Sequence, residues 1–381
     1  MSALDRPTYR LVFIDNLRWS AISMVVVMHA VVTYSPFGSW YYREHPPLDR
    51  FEKVVLAAYQ SFQHAVAMGL LFGIAGYFAA SAVERKGTAR FLAERTRRLG
   101  WPLLLYMFLV GPLTEYYLAG SWRTKQPFPR AWLEHVADGQ ILSGSGPLWF
   151  CLVLLGFSFS FALWRALLPA RSGAPVATPG APYVLGYAVA IAAATFAVGA
   201  VAPEATTVLN IDVHDFPQYP FMFAAGVMAW RGDWPCSISS GAGARWCGFG
   251  LAASVTLWLG LVVAGGALHG NLDAYDGGWH WQAAGMDLWR SFTCVALTIG
   301  LITLYRDRCN RQGRWTRFLS RNAFGVYVFH APILVATTRL LHACPLQVAA
   351  KILLASVLAI ALSFLFVGLV ARRLPILRAV L

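Results

Sequence analysis

An all-α, polytopic membrane protein with about ten spanning helices is the fold this sequence predicts. Three observations carry the prediction. Of 381 residues, 57% are hydrophobic and only 13% charged. The apolar residues fall in runs of about 20, the length that crosses a bilayer as a helix. The basic residues gather in the short segments between those runs. A soluble domain is about 45–50% apolar and about 25% charged, so these proportions exclude a soluble enzyme, a disordered chain and a fibre. The 15 Trp, 15 Tyr and 24 Phe fit the same class, because amphipathic rings favour the membrane–water boundary.

The expected spans are 17–35, 62–83, 99–119, 147–168, 183–203, 216–230, 247–268, 286–305, 323–342 and 349–371. The sixth is the weakest, being short and carrying Pro217 and Pro220. Charge decides it. With ten spans and an inner N-terminus, most Lys and Arg fall on the cytoplasmic side; without the sixth span the majority would shift outward, against the positive-inside rule. Both termini are therefore expected in the cytoplasm. The basic loops Glu84–Arg98 and Arg306–Arg321 then face inward, while 204–215 and 269–285 face outward with Glu204, Asp212, Asp215, Asp273 and Asp276 and no Lys or Arg. Topology and anionic lipid, rather than nucleic acid, account for most of the net charge of +13, and a bound anion for the rest. Pro169–Pro182 reads as a loop. The run opened by Arg18 lacks a small-residue cleavage pattern and reads as a retained first helix. The six cysteines stand singly, with no zinc or disulfide pattern. A single membrane domain with its core at about 10–371 is expected, with no separate soluble domain and no metal site.

Ionisable residues inside spans are costly and mark functional positions. In the first span these are Asp15, Arg18 and His29. His29 comes eleven positions after Arg18, close to three full helical turns, which puts them on one face about 16 Å apart along the axis. Asp15 lies one turn before Arg18 and can pair with it. His29 falls near mid-bilayer, where desolvation favours an uncharged imidazole, the form a general base requires. The competing reading is a histidine that hydrogen-bonds between helices for packing. Arg95 and Arg98 are three apart at the start of the third span, a spacing that suits clamping of phosphate oxygens and equally suits snorkelling to lipid phosphates. Gly73 and Gly76 admit a close neighbour, most simply another helix. Trp149 is either an interfacial anchor or the lining of a sugar entrance, and His330 either a second ring at the site or a structural hydrogen bonder.

Taken in order, Asp15-Asn16-Leu17-Arg18 followed by ten residues and then His29, segment 72–78, Arg95-x-x-Arg98, Leu148-Trp149-Phe150 and Tyr327–His330 resemble the acyltransferase-3 family of bacterial membrane proteins over residues 10–370. Arg95–Pro102 and Asn322–Pro332 are most similar to its glucan-biosynthesis C branch, succinyltransferase-like proteins acting on periplasmic glucans. Ala75 departs from the serine common in that family. The resemblance implies a multi-pass protein of the bacterial inner membrane. It implies transfer of an acetyl, succinyl or similar group from cytoplasmic acyl-CoA, a substrate rather than a resident cofactor, to a hydroxyl of a sugar or glycan. His29 would be the general base, Arg18, Arg95 and Arg98 the donor-binding residues, and Asp15, Trp149, Tyr327 and His330 accessory. The rival class is a transporter or flippase of a glycan or lipid-linked solute, for which paired repeats and acidic mid-span residues would be expected.

Overall fold

The computed structural model describes residues 10–122, 126–168, 176–203 and 206–378; Glu204 and residues 169–175 of the expected loop lie outside them. Among the described residues the regular structure is helical, apart from a hairpin pairing Thr207–Val208 with Ile211–Asp212. Its helices are α1 (Val12–Tyr34), α2 (Arg50–Lys86), the composite α3 (Thr88–Ala119), the short α4 (Phe128–Ala137), α5 (Trp149–Leu167), α6 (Ala181–Gly199), α7 (Gln218–Gly232), α8 (Ser240–Ala264), α9 (Trp281–Arg308), α10 (Arg314–Leu341) and α11 (Val348–Leu369). Nine helices among the described residues are long and apolar enough to cross a membrane. A multi-pass membrane protein follows.

Each expected span falls on a helix, with two differences. Helix α7 has 15 residues, a rise of about 22 Å, short of a hydrocarbon core of about 30 Å. Its prolines sit at the start, Pro217 capping the helix and Pro220 in the first turn, where a missing N–H costs little. Helix α2 begins at Arg50 rather than 62, because a reciprocal capping box starts it: the Asp49 carboxylate accepts from Glu52 N at 2.7 Å and that of Glu52 from Asp49 N at 3.0 Å. Hydropathy does not register such a polar helical extension.

The contacts group the chain into two compact units. One comprises residues 1–17, 64–94 and 156–313; the other comprises 18–63, 95–155 and 314–381.

In the first unit, α2 and α7 cross with their backbones nearly touching. A Cβ added at Gly76 would meet the Phe223 carbonyl, and one at Gly226 the Gly73 carbonyl. The glycines of segment 72–78 thus serve helix packing. Gly226→Ala should force the two helices apart, at a cost of about 1–3 kcal/mol. A lowered melting temperature in detergent would register it, and unchanged melting would count against the tight crossing. Helices α8 and α9 are joined by a buried hydrogen bond between Ser254 Oγ and Thr293 Oγ1 at 2.8 Å, while Trp289 Nε1 donates to the Ser254 carbonyl at 2.7 Å. The Asn16 amide donates to the carbonyls of Cys309 (2.6 Å) and Arg311 (3.0 Å) and accepts from Gln312 (3.0 Å), which anchors the start of α1 to the end of α9. Glu94 pairs with Lys86 (2.5 Å) and Arg90 (3.2 Å), so part of the basic loop is neutralised locally.

The same unit holds an ionic cluster built on two buried carboxylates, with His64 at its exposed edge. Arg290 on α9 pairs with Asp215, and Asp287, one turn earlier, lies 3.9 Å from the same guanidinium. The second Asp215 oxygen meets His64 Nε2 on α2 at 2.6 Å. Fully buried His214 faces both Asp287 oxygens through Nε2, at 3.1 and 3.2 Å. Burial alone would raise Asp215; the Arg290 guanidinium and His64 outweigh it and hold the carboxyl well below the usual range. Burial would lower His214, but its hydrogen bond to Asp287 prevails and raises it.

In the second unit, α3 is repeatedly distorted. Its stretches Thr96–Gly100, Tyr106–Val110 and Thr114–Ala119 are π-helical. Pro102 and Pro112 explain the first two, since each removes an i→i−4 bond and crowds the carbonyl it would have met. For Pro112 that carbonyl belongs to Phe108, and Trp132 Nε1 on α4 donates to it at 2.8 Å.

Candidate functional site

Apart from Asp15, every candidate site residue falls in the second unit. Asp15 belongs to the first, where it pairs with Arg10 at 2.5 Å. Helix α1 is unbroken from Val12 to Tyr34, so the expected rise of about 16 Å between Arg18 and His29 holds. The three-residue spacing of Arg95 and Arg98 falls across a distorted turn. Arg98 lies in the first π turn, which takes more residues per revolution than an α turn, and it is rotated off the face that three-residue spacing would give.

The site is organised by a line of rings. The Arg98 guanidinium sits over the Phe324 ring, 5.7 Å from its centroid. Phe324, Tyr327 and His330 follow at three-residue intervals along one face of α10, with centroids 6.5 Å and then 6.1 Å apart. His330 stacks on His29 at 5.4 Å, and His29 on Trp40 at 3.8 Å with the planes 11° apart. Tyr41 meets Trp40 edge-on at 5.0 Å. The rings therefore run from a cation in the first π turn of α3, past both intramembrane histidines, to the segment after α1.

Local structure fixes each member. Tyr327 donates its hydroxyl to the Pro147 carbonyl, which ties α10 to the turn before α5. His330 Nδ1 donates to the Tyr327 carbonyl at 2.8 Å. That bond selects the tautomer, so the uncharged ring keeps its lone pair on Nε2, which is buried without a hydrogen-bond partner. His29 is part-buried, and its Nδ1 likewise bonds to nothing among the described residues. Trp40 is brought back over α1 by a folded segment: Glu44 N donates to the Thr33 carbonyl (2.7 Å), Arg43 to the Ser35 carbonyl (2.8 Å) and Gln60 to Ser35 Oγ (2.6 Å). Tyr41 and Tyr106 share a hydrogen bond of 2.8 Å. Gly146, at φ +48°, lies so close to both hydroxyls that a Cβ there would collide with them. Burial pushes the Tyr41 hydroxyl above the ordinary tyrosine range, so it stays protonated. Trp149 opens α5 two residues after Pro147 and is part-buried, its ring edge-on to Phe150.

A line of rings linking an arginine to two histidines with available nitrogens suits proton transfer beside an anionic ligand. The family model of an acyltransferase domain matches residues 11–368. The chain belongs to the acyltransferase-3 family. Comparisons with curated proteins and with solved structures give no match. As an acyltransferase of a membrane family it has two features that the sequence did not disclose. Trp40 lies against His29 only because the chain turns back at Ser35, and no helical spacing relates the two. The Tyr41–Tyr106 pair depends on Gly146, for which Gly146-Pro147 was the one available signal.

Proposed function

We propose that this chain transfers an acyl group from cytoplasmic acyl-CoA to a hydroxyl of a sugar or glycan at or beyond the bacterial inner membrane, with both termini cytoplasmic. The observation that carries the reading is the ring line joining Arg98 to His29, in a chain whose family is an acyltransferase family. Arg18, Arg95 and Arg98 bind the donor's phosphates, and the thin pantetheine arm runs beside the rings toward His29. His29 accepts the acceptor's hydroxyl proton as that oxygen bonds to the thioester carbonyl carbon. The tetrahedral intermediate then expels the thiolate, and the imidazolium returns the proton to sulfur, so the products are an ester and free coenzyme A. Tyr327 and His330 set the position of the ring line, Trp149 contributes an aromatic surface to the acceptor side, and Asp15 helps fix the start of α1. The resemblance of Arg95–Pro102 and Asn322–Pro332 to the glucan-biosynthesis C branch favours a glucan acceptor and a succinyl donor.

Purified protein supplied with acetyl- or succinyl-CoA and a soluble glucan should release thiol only when both substrates are present. The glucan should gain the matching acyl mass. Accumulation of glycan in reconstituted vesicles without thiol release would overturn the proposal in favour of transport.

A further inference from the structure

We propose that Trp40 is a catalytic residue whose indole N–H stabilises the negative charge that develops on the thioester carbonyl oxygen. The inference rests on the acyl-transfer reading and adds a group to it. A general base alone leaves the oxyanion of the tetrahedral intermediate unsupported, and acyl transfer places its strongest electrostatic demand there.

Three polar ring atoms in the Trp40–His29–His330 stack are buried and bond to nothing among the described residues: Trp40 Nε1, His29 Nδ1 and His330 Nε2. Their chemistry separates them. His330 commits its Nδ1 proton to the Tyr327 carbonyl, so its Nε2 accepts. His29 must hold a lone pair to take the acceptor's proton. An indole N–H only donates, which makes Trp40 the member of the stack suited to an oxyanion. Buried tryptophans usually find an acceptor, as Trp289 does here on a backbone carbonyl at 2.7 Å, and part-buried Trp132 and Trp234 do the same at 2.8 and 3.0 Å. Trp258 Nε1 is also without a partner; what sets Trp40 apart is the histidine lying against it.

The geometry suits the task. The Trp40 and His29 rings are near-parallel and 3.8 Å apart, so an attacking oxygen at the edge of one ring and a carbonyl oxygen at the edge of the other can belong to the same carbon. As the acceptor oxygen bonds to that carbon, the carbonyl electron pair moves onto oxygen and the N–H bond strengthens. Collapse restores the carbonyl and breaks the carbon–sulfur bond. The donor is also preorganised, because the backbone bond from Glu44 to Thr33 and the contacts of Arg43 and Gln60 with Ser35 hold the segment carrying Trp40.

Trp40→Phe keeps a stacked ring and deletes the donor. In the reconstituted full-length protein, kcat should fall by about 10²–10³, the usual effect of losing one such donor, with KM for acyl-CoA and thermal melting unchanged. Benzothienylalanine at position 40, which replaces N–H by sulfur in a ring of nearly the same shape, should give the same loss and serves if the Phe variant packs poorly. Near-normal kcat with benzothienylalanine, alongside loss of transfer in His29→Ala, would overturn the Trp40 assignment and leave the acyl-transfer reading standing. Near-normal transfer by His29→Ala would instead remove the reading on which the assignment rests.

Discussion

Replacing Arg290 with alanine is expected to destabilise the protein by about 3–5 kcal/mol, the usual cost of removing one partner from a buried ion pair. The guanidinium pairs with Asp215 and lies 3.9 Å from Asp287, and both carboxylates are almost completely buried. Without it, Asp215 keeps His64 and Asp287 keeps His214, but two buried acids then depend on imidazoles for countercharge. The pH dependence distinguishes this mechanism from a simple packing defect. In the intact cluster Asp215 is held below its unfolded value of about 3.9. Its contribution is therefore present above about pH 4 and is lost as pH falls through the folded value. His214 is raised, so its contribution is complete below about pH 6.5 and fades as pH rises through the folded value. In Arg290→Ala the Asp215 carboxyl keeps its burial but loses the guanidinium and binds protons more readily. The variant should then recover stability more steeply than the parent as pH falls from about 8 to about 5. Melting curves in detergent across that interval provide the check, and parental melting at every pH would refute a stabilising role for the cluster.

Hydropathy and charge locate the helices because a bilayer penalises any other arrangement of apolar runs. The same reasoning misses the start of α2, where Asp49 and Glu52 stabilise a helix outside the apolar run, and it misses the π turns of α3, where Pro102 and Pro112 act on the hydrogen-bond ladder rather than on hydrophobicity. Single-helix spacing relates Arg18 to His29, and Phe324 to Tyr327 and His330, since those are properties of one helix. It cannot reach Trp40, which is placed by a chain reversal, or the cluster in which His214 meets Asp287 and Arg290 meets Asp215 across 73 and 75 residues. Asn16 shows the opposite lesson. It lies within the family motif, yet its amide is fully occupied in holding the end of α9.

Replacing His29 with alanine is expected to reduce acyl transfer by about 10²–10⁴, the span that general-base catalysis typically supplies. The fold should survive. His29 Nδ1 holds no other group, and the ring is part-buried, so the change removes stacking on Trp40 and His330 without unpairing a buried partner. Donor affinity should also persist, because Arg18, Arg95 and Arg98 remain. A loss confined to kcat is thus the signature of a missing base, whereas a packing role would lower melting temperature and activity together. The most direct measurement is acceptor-dependent thiol release by purified parent and His29→Ala proteins, with acyl-CoA binding measured on the same samples. Parent-level donor binding with release reduced to about 10⁻² or less of the parent rate is the predicted result; parent-level release by the variant would contradict it.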